Sequence, residues 1–123
     1  MNKIRVFTLG LVATAALATW ALPATAQRTA AKATVVTVTA GKPSEFRFTL
    51  STKTVKHGTV TFKVTGGGAL PHDFSINGKK TKLLSQGQSQ SLVVTFAKAG
   101  KYPYQCTVTG HAAAGMKGTL TVT

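Results

Sequence analysis

Apolar and polar residues alternate with a period of two along most of this chain, the repeat of a strand that shows one face to a core and the other to water. Phe46, Phe48 and Leu50 alternate with Arg47 and Thr49, and Val60, Phe62 and Val64 alternate with Thr61, Lys63 and Thr65. Leu92, Val94 and Phe96 follow, then Tyr102, Tyr104 and Cys106, and finally Leu120 and Val122. No stretch beyond the N-terminal region carries a helical period. Turn signals divide the segments: Gly41-Lys-Pro43, Lys56-His-Gly58, Gly66-Gly-Gly68, Gln86-Gly87 and Ala99-Gly100. Asn77-Gly78, between Phe74-Ser-Ile76 and Lys79 to Leu84, predicts a tight hairpin. The pattern as a whole predicts an all-β chain, an antiparallel Greek-key β-sandwich of seven to eight strands.

Parity sorts the chemically versatile residues as well. Leu70, His72, Phe74 and Ile76 share one strand face, so His72 points with core residues. Tyr102, Tyr104 and Cys106 share the inward face of a second strand, and Met116 is in parity with inward Leu120 and Val122. His72, Cys106 and Met116 therefore arrive from inward positions near strand ends, where a sandwich can hold something just beneath one rim. His57, in a Lys-His-Gly turn without a partner pattern, reads as solvent-facing.

The N-terminus departs from the strand pattern. Lys3 and Arg5 precede an apolar run from Val6 to Leu22 and then Pro23-Ala24-Thr25-Ala26, the three regions of a secretory signal peptide with a cut after Ala26. The small residues and threonines from Ala13 to Ala21, with the cleavage site, favour removal over a retained anchor. Residues 1–26 are thus read as signal peptide, 27–33 as a mobile polar lead and 34–123 as one domain. The remaining 97 residues suffice for one modest core and no more. The expected location is periplasmic or secreted, with no stable membrane insertion after cleavage, and a monomer is expected.

Export changes the meaning of the single cysteine. In an oxidising compartment Cys106 has no internal disulfide partner, so it pairs between molecules or has another occupation. Its neighbours supply one. Cys106, His111 and Met116 stand at five-residue intervals in Cys106-Thr-Val-Thr-Gly-His111-Ala-Ala-Ala-Gly-Met116. Thiolate and thioether beside imidazole is copper chemistry, and His72 is the obvious second imidazole.

With these residues in view, the stretches Val60–Ile76 and Tyr102–Val122 resemble the cupredoxins, the small blue-copper proteins that include plastocyanins, azurins and pseudoazurins. The resemblance rests on Gly58-Thr-Val-Thr-Phe62, His72-Asp-Phe74, Tyr104-Gln-Cys106, Gly110-His111 and Gly115-Met116-Lys-Gly118, and covers about half of the chain after Ala26. The Cys-x4-His-x4-Met loop is similar to those of phytocyanins and sulfocyanin-like members. The resemblance implies one type 1 copper, with His72, Cys106 and His111 as near-planar ligands and Met116 as a weak axial one. It also implies an electron-transfer protein rather than an enzyme. Asp73 stands where many members carry asparagine, and a carboxylate there would favour Cu(II) and lower the reduction potential.

The formal charge is +13, and +11 after Ala26, where Glu45 and Asp73 are the only acids. Such an excess favours acidic partners and makes association salt-dependent, so the expected partner is a redox protein with an acidic docking surface. The lysines form no aromatic-interleaved cluster, and no nucleic-acid partner is expected. The expected exit for electrons is the outer edge of His111, through Ala112–Ala114, with Leu70 and Gly66–Ala69 at the same rim and Lys79, Lys80, Lys82 and Lys101 around it. The rival function is a periplasmic copper-binding or chaperone protein without a dedicated redox partner. Such proteins commonly recruit several methionines, whereas Met116 is alone after Ala26.

Overall fold

A computed structural model describes Gly10 and residues 32–123. The signal-peptide reading, and all of the polar lead except Lys32 and Ala33, lie outside the described residues. The described residues form nine strands in order: β1 (Thr34–Ala40), β2 (Phe48–Leu50), β3 (Thr54–Val55), β4 (Gly58–Gly66), β5 (Ser75–Ile76), β6 (Lys79–Lys80), β7 (Ser89–Phe96), β8 (Gly100–Gln105) and β9 (Lys117–Val122). They form a four-stranded sheet in the order β2-β1-β4-β7 and a five-stranded sheet in the order β3-β9-β8-β5-β6. Among the described residues no helix is long and apolar enough to cross a membrane.

Alternation becomes burial almost position by position. Val36 and Val38, then Val60, Phe62 and Val64, then Leu92, Val94 and Phe96 turn inward from the first sheet. Phe74, Ile76, Tyr104, Leu120 and Val122 meet them from the second, all in one cluster. Phe62 reaches across to Phe74, with ring centroids 5.3 Å apart. Asn77 and Gly78 have φ of 48° and 74° and join paired Ile76 and Lys79, the doubly positive geometry of a two-residue hairpin.

The all-β sandwich is as expected, but its ladders are not all antiparallel. β1 runs parallel to β4 from Thr34↔Val60 to Ala40↔Gly66, and β3 runs parallel to β9. After the β1–β2 reversal the chain crosses to the other sheet as β3 and returns as β4 on the free side of β1. Side-chain alternation is the same in both kinds of ladder, so the period carries no information on direction. The count exceeds seven to eight because β3, β5 and β6 are two-residue strands. Phe46 also leaves the strand assigned by alternation: β2 begins at Phe48, and residues 41–47 form a connection tied by Gly41 N–H to the Arg47 carbonyl at 2.8 Å.

Candidate metal centre

Three segments meet at one end of the sandwich. The first carries His72, whose backbone pairs with Leu84 in an isolated bridge (His72 N–H to Leu84 O 3.1 Å, Leu84 N–H to His72 O 2.7 Å). The bridge turns Leu84 inward and, by alternation, leaves Leu83 outside. The second is the loop from Cys106 to Met116 between β8 and β9. It is a run of tight turns: Ala114 N–H bonds Gly110 O, Met116 N–H bonds His111 O, and Cys106 N–H bonds Met116 O across the mouth, at 3.0–3.1 Å. Gly110 and Gly115 take φ of +84° and +114°, which a side chain would strain. The five-residue intervals are thus two turns that bring both termini and the histidine back to one place.

The third segment is the connection 41–47, which sequence reasoning gave no part in the site. Glu45 Oε1 lies 2.7 Å from His72 Nε2, and its two oxygens accept Ala69 N–H and Leu70 N–H at 2.9 Å each. Phe46 stacks edge-on against the His111 ring at 5.1 Å, and Arg47 Nη1 donates to Gly115 O at 2.9 Å. Three consecutive residues therefore touch three parts of the site. These hydrogen bonds, the two amides first and His72 after them, hold the Glu45 carboxyl down to about 2. The one signal that could have marked Glu45 was scarcity, since the chain has only two acids.

The other acid, Asp73, is also here. Its carboxylate accepts Thr107 N–H at 2.6 Å and the Thr107 hydroxyl, joining the two donor segments. Both carboxylates of the chain thus serve one rim.

Within this frame the Nδ1 atoms of His72 and His111 stand 3.1 Å apart, with Cys106 Sγ 4.0 and 3.6 Å from them. One donor atom from each of the three lies within 4.8 Å of the others. His72 and Cys106 are 0% and 1% exposed and His111 is 9%. Met116, fully buried, shares a packing cluster with Cys106 and Ala40, with Phe46, Phe48 and Val108 against it. Burial pushes the Cys106 thiol up, against the backbone N–H groups of Asp73 and Val108. His57 stays exposed, its Nδ1 3.1 Å from the Thr123 carbonyl oxygen.

Two imidazoles and a buried thiol converging on a space they can share is a soft, mixed donor set, which fits one type 1 copper ion. A family model for the cupredoxin-like domain matches residues 11–122. The chain belongs to the cupredoxin-like family. A 43-residue segment of this cupredoxin is 51% identical to auracyanin-B of Chloroflexus aurantiacus, covering 35% of the chain but only 18% of that protein's length. The auracyanin of Roseiflexus castenholzii superposes with a TM-score of 0.57 at 25% identity, covering 76% of this chain and 98% of that one. Rusticyanin from Thiobacillus ferrooxidans gives a TM-score of 0.63 over 76% of this chain and 79% of its own, and at 23% identity it speaks for the fold.

The rim departs from its sequence reading in three ways. Leu70, Pro71, Leu83, Val108 and His111 line an open depression of ≈ 230 Å³, so Leu70 is at the rim as expected and Leu83 was missed. Gly66 and Gly68 are buried instead, Gly68 against Glu45 and His72, because the glycines serve close backbone packing. Lys101 sits at the far end of β8, where Gly100 pairs with Val122. Five residues of strand, about 17 Å, separate it from Cys106.

Proposed function

We propose that this is an exported blue-copper protein that passes single electrons between redox partners, with one copper held by His72, Cys106 and His111 and Met116 packed beside them. The convergence of two Nδ1 atoms and one Sγ beneath the surface carries this reading. A core gains nothing from clustering polar groups unless they share a partner. A bound copper supplies the one-electron Cu(II)/Cu(I) couple.

The chain's own groups do the remainder. Cys106 is a thiol in the metal-free protein because burial disfavours its anion, so loading releases a proton. The N–H groups of Asp73 and Val108 then receive the sulfur's negative charge. His111 forms part of the apolar depression, so it is the ligand nearest a docked partner. Leu70 and Leu83, 44% and 55% exposed, offer that partner a surface with few polar groups to desolvate. Export rests on the N-terminal pattern, and the acidic character of the partner rests on the net charge.

The test is the optical spectrum after Cu(II) is added to purified protein. The expected result is an intense visible thiolate-to-copper band that Cys106→Ser abolishes, because a hydroxyl cannot supply the soft sulfur donor. A colourless wild-type complex, or a fully coloured serine variant, overturns the reading.

A further inference from the structure

We propose that Glu45 is the positioning residue of the first histidine: it fixes the His72 ring with Nδ1 facing Cys106 and His111 before any metal arrives, and its negative charge lowers the reduction potential of the loaded site. The inference rests on the ligand set proposed above and adds to it a residue from a different segment.

The geometry allows one arrangement of protons on the bond that matters. An ionised carboxylate only accepts, so at 2.7 Å His72 Nε2 must donate. In the neutral ring the lone pair is then on Nδ1, the atom that faces His111 Nδ1 at 3.1 Å and Cys106 Sγ at 4.0 Å. Without the carboxylate, the described contacts left to select a tautomer are those of Nδ1 with His111 and Cys106, and each of these groups donates or accepts according to its own proton.

Glu45 is itself immobilised. Its oxygens accept Ala69 N–H and Leu70 N–H, three and two residues before His72, so one side chain fixes both the ring and the backbone that carries it. The surroundings are shaped to admit it. A Cβ at Gly68 would collide with the carboxylate and lie 2.9 Å from His72 Nε2, and one at Gly41 would lie 3.2 Å from the same nitrogen. Phe46 and Arg47 extend the hold to the His111 ring and to Gly115 O, one residue before Met116. Residues 45–47 therefore join the His72 segment to the Cys106–Met116 loop by contacts that need no metal. Carboxylate, imidazole and metal in series is an arrangement that raises ligand basicity and orients the ring. The added negative charge favours Cu(II) over Cu(I).

The experiment compares wild type, Glu45→Gln and Glu45→Ala in metal-free and copper-loaded forms. In metal-free protein, nitrogen NMR should show the wild-type His72 protonated at Nε2, with the tautomers mixed in Glu45→Ala. Exchange of the Ala69 and Leu70 amides should speed up about ten- to hundredfold in Glu45→Ala, the value of a hydrogen bond to a charged group. In Glu45→Gln one amide at least should lose protection, because the carboxamide has a single accepting oxygen. With copper, Glu45→Gln should keep its colour and shift the potential upward. Unchanged amide exchange and an unmixed tautomer in Glu45→Ala would overturn the positioning role, and an unmoved or lowered potential in Glu45→Gln would overturn the electrostatic one. The metal-free measurements stand even if the copper reading fails, and the variant comparison can fail while wild type still turns blue.

Discussion

At the scale of single residues, the site is built from a few side chains with no freedom to be elsewhere. Met116 is a core residue that, on the proposed reading, also serves the copper. It is fully buried with Cys106 and Ala40, and its amide bonds back to His111. A thioether in that position favours Cu(I) relative to a harder oxygen donor. Met116→Gln should therefore keep copper and lower the reduction potential, measured by voltammetry; an unchanged potential would leave Met116 a packing residue. The Asp73 carboxylate, in place of the family's frequent asparagine, still ties the two segments, through Thr107. Cys106, His111 and Met116 were legible because eleven residues of loop hold them together in sequence as in space. Glu45 was not, since it lies 27 positions from His72 and only the fold joins them.

At the scale of elements, the connections carry more of the function than the strands. The strands were readable because burial obeys parity, and parity placed His72, Cys106 and Met116 inward as found. Ladder direction, the role of 41–47 and the outward turn of Leu83 were not readable, because each depends on which segments the fold brings side by side. The glycines of the third turn show this dependence. Gly66-Gly-Gly68 looked like a loose rim, yet Gly68 is packed beneath the Glu45–His72 pair. Gly68→Ala should push that pair apart and cost about 1–3 kcal/mol of stability, as overpacking commonly does. Urea denaturation of the metal-free protein measures the loss. The same substitution at Gly78, where a Cβ meets nothing within 4 Å, should cost only the strain of a positive φ.

At the scale of the whole molecule, charge is unevenly distributed over the two sheet faces. Ser75 pairs with both Lys80 and Gln105, and Gln105 pairs with Lys117, so a row across β6, β5, β8 and β9 has a lysine at each end. Gln105 and Lys117 adjoin Cys106 and Met116, which puts this row at the metal end. The outer face of the first sheet instead presents Thr37, Thr61, Thr65, Ser89, Ser91 and one lysine, Lys63. Electron transfer to a negatively charged partner should fall steeply as ionic strength rises, and Lys80→Glu with Lys117→Glu should slow it more than Lys63→Glu. A flat salt profile would give the charge some other purpose. The placement of both carboxylates at the metal rim also bears on acid tolerance. Acid unfolds proteins largely by protonating carboxylates that are bonded in the native state, and this chain offers acid only two side-chain carboxylates. Glu45, lowered from 4.5 to about 2, contributes stability that is complete above pH 4.5 and lost as pH falls through 2. The stability gap between metal-free wild type and Glu45→Gln should accordingly hold steady down to about pH 4.5 and close towards pH 2, where urea titrations at each pH would show it. A surface whose positive charge comes almost wholly from lysine and arginine gives such a protein the same long-range pull in mildly acidic surroundings as at neutrality.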